Sequence, residues 1–269
     1  MRRACKHVSA LIFITSLIVA LLLTASCRKQ DDGGKLIFVF GHKIGGVELV
    51  KDSVTYLNAA ENEYVVNELQ YFISEVTLWK NGDRQVITSD SGVHYVDLDI
   101  PSTLSWFPDQ VIPAGNYDSI TFTFGLTESK NISGYFVNPP ERDMFWPDVM
   151  GGGYHYMKMN GKWKTTLGDI QPFNLHLGIG MIADTAGNET FVQNYFTVTL
   201  PLSWCEVHES QVYRQFTIDM DINSWFESPY YWDWNLTGGQ IMQNQDAMHA
   251  AAMNGRDAFT IAYEAPDPK

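Results

Sequence analysis

The stretch PFNLHLGIG, Pro172–Gly180, alternates in the manner of a strand. Phe173, Leu175 and Leu177 fall on one face, and Asn174, His176 and Gly178 on the other, because successive side chains of an extended chain point to opposite sides. One face is ready for a core. The other presents an imidazole with a glycine two residues on, and that glycine leaves space beside the ring. A histidine so placed either hydrogen-bonds within a crowded sheet or is half of a metal site.

The same alternation recurs along the chain. KLIFVF is a β-rich run. NELQYFISEVTLWKNGDRQVI predicts two strands joined by a turn at Asn81–Gly82, a dipeptide that suits hairpins. HYVDLDI alternates, IPAGNYDSITFTFGL has a turn followed by an alternating strand, and YHYMKMNGKWKTT reads as a hairpin around Asn160–Gly161. TFVQNYFTVTLPL and YRQFTIDMDI supply further strands. Several strands separated by turn signals predict an all-β, antiparallel β-sandwich. One helix is expected near the end, in GGQIMQNQDAMHAAAMNGRDAF, with Ile241, Met248 and Ala252 on its apolar face, widened by Ala247 and Ala251, and Asn254–Gly255 as its stop.

The 269 residues are 45% hydrophobic and 13% aromatic, enough for a full core, and only 18% charged, which excludes a disordered composition. Acidic residues outnumber basic ones 31 to 18. Such a surface repels phosphate and carries no basic patch, so a nucleic-acid partner is excluded.

The first residues read as an address. MRRACKH supplies Arg2, Arg3 and Lys6, an apolar run follows, and the run ends LLLTASC. Ala25 and Ser26 before Cys27 resemble a bacterial lipobox, although Thr24 stands where leucine is usual. Residues 1–26 are therefore expected to be a lipoprotein signal peptide and Cys27 the lipidated first residue, held to the membrane by its acyl chains. Cleavage would remove three positive charges and no acid, leaving a net charge of −16. Residues 27–34 read as a polar tether and 35–265 as one domain. Cys205 is then the lone cysteine, a small buried hydrophobe, and no disulfide framework exists.

The ordered series FVFGHKIGGVELV, YFISEVTLW, PAGNYDSITFTFGL, MFWPDV with GGGYHYMKMNGKW, FNLHLGIG and IMQNQDAMHAAAMNGRDAFTI is similar to the MbnP-like family of exported bacterial domains. The resemblance spans almost the whole mature chain. It implies a β-sandwich in the bacterial cell envelope, periplasmic or on the outer-membrane surface, that is not an enzyme. In copper-binding members it implies one Cu(I) held by two histidines and a kynurenine made from tryptophan, with a dihaem peroxidase-like partner associated with that oxidation. His42 in FGHKIGG matches the first histidine of that pattern and His176 the second. Phe40 occupies the place of the oxidised tryptophan, so no kynurenine is expected there. Trp146 matches a family tryptophan and reads as a packing residue.

The chemistry of the pair is simple. Neutral imidazole is a good copper and zinc ligand, and burial favours the neutral form. His42 shares its face with Phe38 and Phe40, so it points into apolar territory and needs a hydrogen-bond partner or a metal. His155 is the candidate third ligand. It falls with Met157 and Met159 on one expected strand face, a thioether-rich set suited to Cu(I), although methionine is also a common core filler and residues two apart on a strand chelate one ion only with a bend. His94 reads as an exposed residue opening a strand, His208 as a surface residue beside acids, and His249 as lying off the helix's apolar stripe.

A rival function comes from WFESPYYWDWN, where Trp225, Tyr231, Trp232 and Trp234 could form an aromatic platform for a glycan or protein at the cell surface without metal. The alternative for these rings is closure of the core. The chain has no G-x-S-x-G elbow, no P-loop and no H-E-x-x-H helix, and Asp219 and Asp221 alternate on what reads as a solvent-facing strand edge.

Overall fold

A computed structural model describes residues 33–53, 55–208 and 213–263. The signal segment, Cys27 and most of the tether lie outside the described residues. The domain includes the two residues before Lys35, because Gly33–Gly34 pair with Ile112–Pro113.

The principal strands are β1 (Leu36–Ile44), β2 (Glu63–Lys80), β3 (Asp83–Val86), β4 (Val93–Asp97), β5 (Gly115–Phe124), β6 (Met157–Lys164) and β7 (Ile170–Leu177). They continue with β8 (Gly180–Ala183), β9 (Glu189–Val192), β10 (Phe196–Val207), β11 (Arg214–Asp221) and β12 (Phe259–Tyr263). Two helices follow β11 in the chain, the single turn α1 (Trp234–Thr237) and α2 (Gln245–Gly255).

The larger sheet has eight strands, with β7-β6-β2-β5-β10 as its main path. The 18-residue β2 is its spine. On one flank β6 runs beside Tyr64–Tyr71 and β5 beside Ile73–Trp79; on the other flank lie Tyr56–Leu57, β4 and β3. The second sheet has β12-β11-β1 at its centre. Among the described residues all the strand pairs are antiparallel save one, β1 with β11, which runs parallel from Leu36–Arg214 to Lys43–Asp221.

The sheets face each other across an aromatic core. Phe259 of the second sheet meets Phe122 and Phe124 of the first at 5.3 and 5.5 Å between ring centroids, and Phe40 stacks on His94 at 5.2 Å. Strict alternation builds this interface: along β1 the residues from Leu36 to Ile44 are alternately buried and half-buried. Each fully buried Phe or Leu is worth about 1.5–3 kcal/mol relative to an exposed one, so two inward faces of this size define the fold.

The Asn81–Gly82 turn forms as expected, with both residues at positive φ (51° and 87°) in the primed geometry that hairpins favour. The helix also forms, beginning at Gln245 with Asn244 as its N-cap, whose side chain accepts from the Ala247 amide. Ile241 is buried ahead of the helix rather than on it.

The expected hairpin at Asn160–Gly161 does not form. Strand β6 passes straight through both residues, and the reversal comes at Thr165–Asp169, where the Thr165 amide donates to the Asp169 carbonyl. Asn160–Gly161 instead marks a register shift against β2. The glycine is required by close approach: a Cβ there would lie 2.1 Å from the Val65 carbonyl oxygen and 2.4 Å from the Phe173 ring. Its neighbour β7 would be a sheet edge, but the Asn174 amide donates to the Gly239 carbonyl, so the segment before α2 covers it. No helix among the described residues is long and apolar enough to cross a membrane.

Gly161→Ala should force backbone and Phe173 apart. It is expected to lower unfolding free energy by about 1–3 kcal/mol, the usual range for overpacking, read as a shifted midpoint in urea denaturation.

Candidate functional site

The register of three strands sorts the candidate ligands. Leu177, Met157 and Tyr71 lie directly opposite one another across β7, β6 and β2, so their side chains share the inward face. The next row, His176, Lys158 and Gln70, shares the outward face and continues to Asp97 on β4. His42 enters from the second sheet and reaches the inward row: its Nε2 is 2.9 Å from the Tyr71 hydroxyl. The larger sheet therefore stands between His42 and His176. The expected pairing of these two histidines on one ion is corrected by this geometry. His42 is a core histidine, 6% exposed, whose polar atom is satisfied by a buried tyrosine.

His176 meets a different histidine. β6 becomes irregular at its start, and this break turns His155 out of the line of Met157 and Met159. The two imidazoles, of His155 and His176, lie with ring centroids 5.0 Å apart and nearly perpendicular, at 84°. Met157 and Met159 are fully buried on the inward face, so the expected shared face of His155, Met157 and Met159 does not exist.

Each ring of the pair is fixed by an oxygen that can only accept. His155 Nδ1 is 2.8 Å from the Met144 carbonyl oxygen, and His176 Nε2 is 2.8 Å from Asn160 Oδ1. The Asn160 amide is oriented in turn by donating from Nδ2 to Glu68 Oε2 at 2.5 Å. In each case the ring nitrogen must carry the proton. The opposite nitrogens, Nε2 of His155 and Nδ1 of His176, then hold unprotonated lone pairs.

Charge reinforces this. Burial pushes His155 down to about 3; the Met144 carbonyl opposes that shift, and His176 and Lys158 add to it. Burial pushes His176 down to about 4, and Lys158 adds to the shift. Both rings are neutral at pH 7.

The space beside Gly178 is filled. A Cβ there would lie 2.7–2.8 Å from three atoms of the Trp146 indole. Trp146 is fully buried, donates from Nε1 to the Met150 carbonyl at 3.1 Å, and stands edge-on to His155 at 4.6 Å. It packs the floor of the histidine pair, the role read for it in the sequence.

The remaining histidines are elsewhere. His94, expected to be exposed, is stacked between Phe40 and Trp106 at 5.2 and 5.4 Å and donates from Nε2 to the Thr103 carbonyl. His208 is exposed and 3.6 Å from Glu206, and His249 sits edge-on to Tyr230. Among the described residues no group of three or more His, Cys, Asp or Glu is arranged to hold a metal ion.

The aromatic platform is also corrected. Trp225, Trp232 and Trp234 are core residues, each at most 2% exposed, with Trp234 stacked on Phe173 at 4.8 Å. Tyr231 alone of the four is open to solvent. A glycan needs exposed ring faces, and three of the four are sealed.

A signal for the His155–His176 meeting was present in the sequence. With the turn at Thr165–Asp169, counting back along both strands sets Lys158 opposite His176 and brings residues 155–156 to the end of the same ladder. The turn assigned to Asn160–Gly161 hid this.

An all-β sandwich with a paired buried and half-buried imidazole, both neutral, on the outward face of its larger sheet is the class of protein these observations define. The model of the MbnP family matches residues 33–248. No curated protein matches the chain. Among solved structures, MbnP from Methylosinus trichosporium superposes with a TM-score of 0.56 at 15% identity, covering 86% of this chain and 99% of that one. The chain belongs to the MbnP family.

Four histidines held neutral by burial make stability depend on acid. His42, His94 and His176 are lowered to about 4 and His155 to about 3, against an ordinary value of 6.5. The unfolded chain binds these protons first, so their contribution is full above about pH 6.5 and declines as pH falls through 4. Urea denaturation at stepped pH should show the midpoint falling across that window.

Proposed function

We propose that this protein is a non-catalytic, lipid-anchored domain of the bacterial cell envelope that binds one copper ion as Cu(I), with His155 Nε2 and His176 Nδ1 as ligands. The observation that carries the reading is the pair of fixed tautomers. Metal-binding histidines characteristically donate their second ring nitrogen to an oxygen acceptor, which sets the orientation and frees the other nitrogen. Both rings here have that partner, from Met144 and Asn160.

The donor set fits copper, for which imidazole is a good ligand. Two imidazoles on one metal, with bonds of about 2.0–2.1 Å, have ring centres no more than about 6 Å apart. The 5.0 Å separation falls inside that limit. The neutral rings bring no proton that must leave before the metal binds. When bound, copper would supply a soft Lewis-acid centre; the chain's own part is to hold the rings neutral, oriented and shielded by Trp146 and the segment carrying Met144. Membership of the MbnP family and the envelope address read at Cys27 support the same assignment, as they do a dihaem peroxidase-like partner.

Anaerobic titration with Cu(I) in competition with a chelator should show one tight site per chain. His155→Ala and His176→Ala should each weaken it at least about a hundredfold, the scale on which even supporting partners matter. His42→Ala should retain it. Quenching of Trp146 fluorescence should report the same stoichiometry. Binding should hold at pH 5 and loosen as pH falls through about 4, where protons claim the free nitrogens. Equal affinity in the wild type and the His155→Ala/His176→Ala double variant would overturn the reading.

A further inference from the structure

We propose that Lys158 is a selectivity residue, whose ammonium group admits a monovalent soft cation to the histidine pair and disfavours divalent ions. The inference rests on the reading of His155 and His176 as ligands and adds the charge rule by which they choose.

Lys158 is placed for this by the ladder itself. It lies directly opposite His176 on the outward face, between that residue and Gln70. Its Nζ donates to the Asp143 carbonyl at 2.8 Å, one residue from the Met144 carbonyl that fixes His155. The ammonium group is thus tied to the segment that positions one ligand and to the strand row that carries the other. The positive charge of Lys158 helps to keep both rings neutral.

The carboxylates near Lys158 keep their charge but stand farther from the rings. The ladder sets Glu68 on β2 and Asp97 on β4, one and two strands beyond that of Lys158, and the exposed Asp143 side chain is paired with Arg142. A metal entering between the rings therefore meets two neutral donors, with the ammonium group of Lys158 the nearest charge in the strand row. In a partly desolvated site that repulsion is far less screened than in water, and it doubles for a dication. Divalent zinc also favours four ligands, whereas Cu(I) and Ag(I) accept as few as two. A carboxylate beside the rings would have had the opposite effect, and none is aimed there.

The test uses Ag(I), a redox-inert monovalent ion, and Zn(II), each titrated into the full chain as wild type, Lys158→Leu and Lys158→Arg. The quantity read is the ratio of the two affinities within each protein, which cancels any general loosening of the site. Lys158→Leu, which removes the charge and brings no donor atom, should shift the ratio toward Zn(II) by about tenfold or more, equivalent to about 1.4 kcal/mol. Lys158→Arg should keep the wild-type ratio. If Ag(I) binds the wild type and Lys158→Leu leaves the ratio unchanged, or lowers both affinities equally, the selectivity role is overturned while the histidine site stands. If Ag(I) binds neither the wild type nor the variants, the histidine site itself fails and Lys158 loses its role with it.

Discussion

The antiparallel ladder of β7, β6 and β2 is the constraint from which the rest follows. Once Met157 pairs with both Leu177 and Tyr71, every side chain on three strands is assigned to one face or the other. The inward row becomes core, and the outward row becomes the polar strip of His176, Lys158, Gln70 and Asp97. A slip of one residue would exchange the two sets, burying a lysine and exposing methionine and leucine. The histidine pair is therefore a by-product of core packing: hydrophobic residues set the register, and the register delivers the imidazole.

What holds the pair is a graded set of anchors. Glu68 orients Asn160, Asn160 orients His176, and the Met144 carbonyl orients His155. Trp146 fills the volume that Gly178 leaves, and its own N–H is satisfied within the same short segment. None of these groups is free to turn without leaving a buried polar atom unmatched, a loss of about 1–3 kcal/mol each. His42 and His94 are equally neutral and each also has one ring nitrogen partnered, by Tyr71 and Thr103; what separates His155 and His176 is that two such rings lie 5.0 Å apart.

Alternation made the sandwich legible, because a period of two with apolar residues on one face has few other meanings. The strand reading of Phe173–Leu177, the Asn81–Gly82 turn, the terminal helix and the buried Cys205 follow from local chemistry alone. The site was legible only in part. His155 and His176 stand out as residues, but their partnership depends on where β6 reverses, and Asn160–Gly161 is as good a turn dipeptide as Asn81–Gly82. What separates them is tertiary: Val65 and Phe173 crowd Gly161 so closely that the chain must run straight. Nor could sequence show that Tyr71 waits for His42 across the core, or that the aromatic run from Trp225 to Trp234 turns inward, since both depend on which sheet covers which.

The parallel pairing of β1 with β11 has a meaning for how the molecule comes into being. The first long strand finds its central neighbour only when Arg214–Asp221 has been made, so Phe38 must await Phe216 and His42 must await Met220. Contacts so distant along the polymer are slow to close. Until Asp221 has been made the second sheet has no centre, and the core side of the larger sheet waits for its cover.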